Sequence, residues 1–320
     1  MKPLLTVENL KTYFETDEGA FVRANDGVRL SVCAGELVAI VGESGCGKST
    51  VALSILRLIK HPGRIIEGTV FLRDTELLKL SEERMRKVRG KEVSIVFQNP
   101  VTYLNPVMRI GDQIMENAIF HLGLDKRSAE EKVLEILRQV KIPSPERIYQ
   151  SYPHELSGGM KQRVLFAIAI VCQPLLVILD EPTTALDVTI QAQILQLIKE
   201  LRNRLRMSMI MITHDLGIVA DIADRVYIMY AGKIVEYGDV FSIFREPLHP
   251  YSRALLNSVL SINEYKENLV SIPGSVPDLR NPPTGCRFHP RCSRRMDRCF
   301  KEIPSLQEEK DGHFVACWGV

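Results

Sequence analysis

Gly42-Glu43-Ser44-Gly45-Cys46-Gly47-Lys48-Ser49-Thr50 is the stretch that decides the fold. It fits Gly-x4-Gly-Lys-Ser, the pattern of a phosphate-binding loop. Before it, Leu37-Val38-Ala39-Ile40-Val41 is a continuous apolar run, as expected of a strand buried on both faces of a parallel sheet. After it, Ser49 to Leu58 has helical spacing. Glycines let the loop's N–H groups turn toward phosphate oxygens without Cβ clashes. The following helix presents its positive end. Lys48 is placed to reach the β- and γ-phosphates, and Ser49 to bind Mg²⁺. A chance Gly-rich turn is the bland alternative; Lys48-Ser49 and both flanking elements argue against it.

The chain around this loop is ordinary for a folded protein. It has 320 residues, 45% apolar and 25% charged, with 41 basic and 39 acidic side chains for a net charge of +2. That length suggests about two domains. So balanced a charge implies neither a nucleic-acid surface nor an acidic tail. The N-terminus, Met1 to Val7, lacks the apolar core of a secretory signal. The longest apolar stretch, Val164 to Leu179, is broken by Gln173-Pro174 and falls short of the ~20 residues of a membrane helix. Any membrane role is therefore expected to be peripheral.

Upstream of the loop, Leu4–Val7, Phe21–Ala24 and Val28–Val32 read as strands, with Asn25-Asp26-Gly27 as a turn. Residues 107–141 read as mostly helical and 143–155 as a Pro-containing loop. A helix is expected from Ser157 to about Cys172, a buried strand at Leu175–Leu179, and a helix at Ile190–Leu205. Another strand is expected at Met209–Thr213. Val226–Met229 and Ile234–Glu236 read as a hairpin. From about Val240 Pro and Cys rise, and periodicity fades after Val259.

Several candidates sit at the ends of these elements. Asp180 closes an apolar strand, where a carboxylate can hold the Mg²⁺ shell. Glu181 beside it can orient or deprotonate water. His214 follows a strand end, the edge where parallel sheets place ligands, and can bond a γ-phosphate. Gln98 follows the Val93–Phe97 run and can touch the Mg²⁺ water shell; a plain turn before Asn99-Pro100 explains it equally well. Ser157 is a good helix N-cap, and Gly158-Gly159 allows close backbone approach to a second phosphate. One nucleotide cannot occupy both glycine turns of one subunit, which points to ATP sandwiched between two subunits.

Together these residues resemble the ATPase subunits of ABC transporters. The likeness rests on the P-loop, Gln98, Leu156-Ser157-Gly158-Gly159, Asp180-Glu181, Ala185-Leu186-Asp187 and His214, in that family's order and over about residues 1–240. It implies Gln98 as Q-loop, Ala185–Asp187 as D-loop, His214 as switch histidine, and a helical subdomain at about 99–172. It also implies head-to-tail pairing of two such subunits and an aromatic stacked on adenine, Tyr13 or Phe14. Met160 departs from the commonest glutamine of the broad family. A narrower resemblance, to dipeptide and oligopeptide importer ATPases, lies in Asp187–Leu195, Arg245–Tyr251 and Gly285-Cys286-Arg287-Phe288. Nickel importers share much of it.

The tail holds Cys286, Cys292, Cys299 and Cys317, with five, six and seventeen residues between them. Four thiolates suit one tetrahedral metal or a cubane. Zinc sites usually show short Cys-x2-4-Cys pairs, so this wider spacing favours [4Fe-4S], with structural Zn²⁺ as the rival. The tail also resembles the C-terminal segment of peptide-importer ATPases, some members of which carry such a cluster. Arg287, Arg291, Arg294, Arg295 and Arg298 surround the cysteines, either offsetting cluster charge or forming a solvated face. Cys46 reads as an inert loop side chain, and Cys33 and Cys172 as small core residues.

The expectation is an α/β protein: a P-loop NTPase core with an antiparallel β-subdomain, an inserted helical subdomain and a small Cys-rich C-terminal extension. Residues 1–240 form the ATPase and 241–320 the extension. The resemblance implies ATP and Mg²⁺ as ligands, and work at the cytoplasmic face of the cell membrane. It implies as partners a second ATPase subunit (a related heterodimer partner, or a homodimer), two transmembrane permease subunits and, indirectly, an extracytoplasmic peptide-binding protein. The alternatives are a nickel importer's ATPase and a non-transport ABC ATPase acting on DNA or ribosomes. Single ATPase content, no heptad array and the near-neutral charge weigh against the latter.

Overall fold

A computed structural model describes residues 2–184, 186–258 and 272–320. Ala185, the first residue of the expected D-loop, and Val259 lie outside the described residues. The chain opens with strands β1 (Leu5–Glu15), β2 (Phe21–Val32) and β3 (Leu37–Val41), then helix α1 (Lys48–Ile55) and strands β4 (Gly63–Leu72) and β5 (Thr75–Glu76). Helix α2 (Glu82–Val88) and strand β6 (Val93–Val96) follow. Next come α3 (Pro100–Tyr103), α4 (Ile110–Leu122), α5 (Lys126–Gln139), α6 (Pro145–Gln150) and α7 (Gly158–Ile170). Then β7 (Leu176–Asp180), α8 (Val188–Leu205), β8 (Ser208–Thr213) and α9 (Leu216–Ile222) alternate. The chain continues through β9 (Arg225–Tyr230), β10 (Lys233–Asp239), α10 (Val240–Arg245) and α11 (Pro250–Asn257), and ends with α12 (Asp297–Lys301), β11 (Gln307–Lys310) and β12 (His313–Val315).

The described residues divide into two compact units. The first draws on Met1–Cys33, Leu37–Leu78 and Ile212–Val320. It contains an antiparallel sheet in the order β2-β1-β4-β5, and the run β11-β12-β10-β9-β3 of a second sheet, in which β3 and β9 are parallel. All five residues of β3 are buried, as its unbroken apolar sequence requires. The second unit draws on Ala34–Glu36 and Lys79–Met211. Its helices α3 to α7 separate β6 from β7, which pair in parallel with Val96 opposite Leu179.

Two sequence expectations fail locally. The turn at Asn25-Asp26-Gly27 is instead the middle of β2. Pairing passes from Leu10 opposite Val28 to Lys11 opposite Asp26, leaving Gly27 as an extra residue at φ 87°. This is a β-bulge, which a glycine with positive φ accommodates. Residues 143–155 are not all loop either, since α6 occupies Pro145–Gln150. Pro145 stands at the first helical turn, where its missing N–H has no partner to lose. The stretch 107–141 is mostly helical as expected, as α4 and α5, with Gly123 ending α4 in the left-handed conformation.

The C-terminal segment is tied in by a buried polar cluster. Glu236 of β10 accepts from the N–H groups of Leu248 (2.7 Å) and His249 (2.8 Å) and pairs with His313 Nε2 (2.7 Å) of β12. Among the described residues no helix is long and apolar enough to cross a membrane.

Candidate functional site

In the first unit the P-loop links β3 to α1. Gly42 and Gly47 are demanded by close approach: a Cβ on either would lie 2.1 Å from a backbone oxygen, Met229 O or Ala24 O respectively. Lys48 is buried, and its Nζ donates to the carbonyls of Gly42 (2.8 Å) and Glu43 (3.0 Å). Ser44, Gly45 and Ser49 are exposed along the loop, and Thr50 is half-buried at the start of α1. The Cys46 side chain is fully buried, and burial pushes its thiol up, in keeping with an inert role. His214 is exposed at the end of β8, and Asp215 beside it caps α9 through the N–H groups of Gly217 (2.8 Å) and Ile218 (3.2 Å).

The two aromatic candidates differ in their bonding. Tyr13 donates its hydroxyl to Asp26 Oδ1 at 2.7 Å. Burial and that bond push its phenol up to about 12. The ring of Phe14 closes over Gly63, where a Cβ would lie 2.5 Å from Phe14 Cε1.

In the second unit β7 is buried throughout and delivers Asp180, only 8% exposed, to its C-terminal end. Glu181 follows in a left-handed conformation, φ 48°. Its Oε2 accepts from Gln98 Nε2 (2.8 Å) and Thr184 Oγ1 (3.0 Å). The parallel β6–β7 pairing puts these strand ends side by side. Gln98 therefore reaches the carboxylate next to the expected Mg²⁺ ligand, a contact the sequence reading did not anticipate. Phe97 and Tyr103 stack beside it, centroids 3.8 Å apart. Ser157 does cap α7, its Oγ accepting from Met160 N at 3.3 Å. The two glycines after it separate in role. Gly158 is exposed, whereas a Cβ on Gly159 would meet Ile190 Cγ2 of α8 at 2.8 Å. Gly159 thus serves α7–α8 packing and Gly158 leaves backbone accessible.

Cys286, Cys292, Cys299 and Cys317 line one enclosed cavity with Phe288 and Trp318. None of the described cysteines is in a disulfide. Burial pushes the Cys286 thiol up to about 11. Among the described residues no three His, Cys, Asp or Glu side chains stand close enough for one metal ion. The neighbouring arginines are not one solvated face. Arg287 is buried and bonds Asp26 and Ala231 O. Arg291 grips Glu43 of the P-loop. Arg298 stacks on Trp318, 3.4 Å from the ring centroid.

A buried strand running into a glycine loop with a buried lysine, in a chain with another buried strand that delivers Asp180 and is followed by Glu181, defines a P-loop nucleoside triphosphatase. Known proteins narrow this class. The family model described as "ABC transporter" matches residues 25–184, and that of the "Oligopeptide/dipeptide transporter, C-terminal region" matches 235–299. The oligopeptide transport ATP-binding protein AppD of Bacillus subtilis is 49% identical over 319 residues, spanning 99% of this chain and 97% of that protein. The dipeptide transport ATP-binding protein DppD of Escherichia coli is 46% identical over 314 residues, spanning 98% and 96%. A solved dimeric ATP-binding cassette, MJ0796 in a post-hydrolysis state with ADP and Pi, superposes with a TM-score of 0.66 at 26% identity, covering 74% of this chain and 98% of that one. This chain belongs to the ABC transporter family of ATPases.

Proposed function

We propose that this chain is the ATP-hydrolysing subunit of an importer for dipeptides or oligopeptides. The observation that carries this reading is the likeness to peptide-transport ATPases through the C-terminal segment, residues 235–299, and not only through the ATPase core. Lys48 and the P-loop N–H groups hold the phosphates, Ser49 and Asp180 serve Mg²⁺, and Tyr13 or Phe14 faces adenine. Glu181 activates the attacking water, Gln98 orients Glu181 and senses the metal, and His214 contacts the γ-phosphate. Ser157 and Gly158 complete the site of a partner ATPase subunit, a related chain or a second copy. Two transmembrane permease subunits form the pore, this chain docks on them at the cytoplasmic face, and an extracytoplasmic binding protein delivers peptide. ATP binding closes the ATPase pair and hydrolysis reopens it.

The four cysteines hold a [4Fe-4S] cluster in this reading. What supports a cubane over zinc is that all four cysteines line one cavity while their sequence spacing lacks the short Cys-x2-4-Cys pairs of zinc sites. Bound there, the cluster acts as a structural staple of the extension. Anaerobically purified protein should be brown, with iron and sulfide near about four each per chain; colourless protein with one zinc refutes this assignment. The transport reading is tested by affinity isolation from membranes. Recovery of permease subunits with ATP-dependent peptide uptake supports it, and recovery of ribosomes or DNA overturns it.

A further inference from the structure

Glu43, the second residue of the P-loop, is held from outside the loop. Arg291 approaches it in a two-pronged contact, Nη1 to Oε2 at 2.8 Å and Nη2 to Oε1 at 3.1 Å. That arginine side chain is only 5% exposed, and its Nε donates to Pro273 O at 2.8 Å. The N–H of Glu43 donates to the Tyr251 hydroxyl at 2.9 Å, and its carbonyl accepts from Lys48 at 3.0 Å. Tyr251 is itself fully buried against Tyr230 and Phe288, ring centroids 4.6 and 5.4 Å away. Arg291 directly precedes Cys292, and Phe288 lies between Cys286 and Cys292.

A carboxylate in a phosphate loop repels the polyanion that the loop must bind. A paired arginine cancels that charge and fixes the carboxylate's direction. A loop already held in its binding conformation also loses less freedom when ligand arrives. We propose that Arg291 and Tyr251 are positioning residues of the nucleotide site, through which the cysteine-bearing segment neutralises Glu43 and holds the P-loop open for phosphate. This rests on reading residues 42–50 as the ATP loop.

The experiment measures binding of a fluorescent ATP analogue to the full chain, with melting curves as the folding control. Arg291→Met should raise the Kd for ATP about tenfold, the size of one lost charge-assisted contact. Adding Glu43→Gln to that variant should restore most of the affinity, because the unpaired carboxylate is then gone. A purely structural arginine gives no such rescue. Arg291→Gln also removes the charge but keeps a polar side chain, and carries the same comparison where the methionine variant does not fold. Tyr251→Phe should weaken binding without altering the response to Glu43→Gln. Affinities within about twofold of the parent for the arginine variants, or additive losses in the double variant, overturn the proposal. A parent protein that fails to bind the analogue overturns the reading of the loop instead.

Discussion

Replacing Glu181 by alanine and by glycine separates two quantities that meet at one residue. Glu181 has φ 48°, a region that costs an L-residue roughly 1–2 kcal/mol. Both substitutions delete the carboxylate and its bonds from Gln98 and Thr184, so those losses cancel in the comparison. Glycine removes the backbone strain but adds about 0.5–1 kcal/mol of unfolded-chain entropy. The glycine variant should therefore be the more stable by a little under about 1 kcal/mol, a rise of about 1 °C in Tm for a chain of this length. Both variants should lose at least about a hundredfold in ATP turnover, the usual contribution of a positioned general base. Calorimetry and a phosphate-release assay read the two effects. A glycine variant melting at or below the alanine variant would show that the backbone carries no strain for function. An alanine variant with turnover near the parent's would remove Glu181 from its role.

Ser157→Arg should leave nucleotide binding at the chain's own P-loop intact while preventing ATP-dependent association of ATPase subunits, read by size-exclusion chromatography of a slowly hydrolysing variant. Burial alone would push the Glu236 carboxyl up, but the bonds from His313, Leu248 and His249 outweigh it and hold it below its ordinary value of 4.5. The unfolded chain then binds the extra proton first, so stability from Glu236 is present above pH ~4.5 and is lost as pH falls through the depressed folded value. Glu236→Gln should flatten that acid limb in melting curves recorded from about pH 5 downward. Glu236→Ala should cost about 3–5 kcal/mol, because it strands His313 and two N–H groups in the interior.

The parts of the molecule legible from sequence are those fixed by neighbours in the chain. The P-loop is defined by close-approach glycines and a lysine within a few residues, and β3 and β7 by apolar runs. Ser157 caps α7, as residue type and position suggest. Where a local signal has two physical meanings, the reading went astray. Asn25-Asp26-Gly27 suits a turn and a bulge alike, and Pro145 can break a helix or begin one. Contacts between distant residues left no signal at all. Glu43 and Arg291 are 248 positions apart, and nothing in either neighbourhood announces the pair. Gln98 and Glu181 meet because β6 and β7 are parallel neighbours, a fact of topology that spacing does not carry. The roles of Gly158 and Gly159 differ only because Ile190 of α8 lies against one of them.

The most direct test of the account is ATP hydrolysis by this chain assembled with its membrane and ATPase partners in proteoliposomes, measured with and without peptide presented by the binding protein. Peptide should stimulate hydrolysis and enter the vesicles, and Glu181→Gln should abolish both while ATP still binds. Hydrolysis indifferent to peptide, or stimulated only by a metal ion cargo, would contradict the peptide-importer assignment.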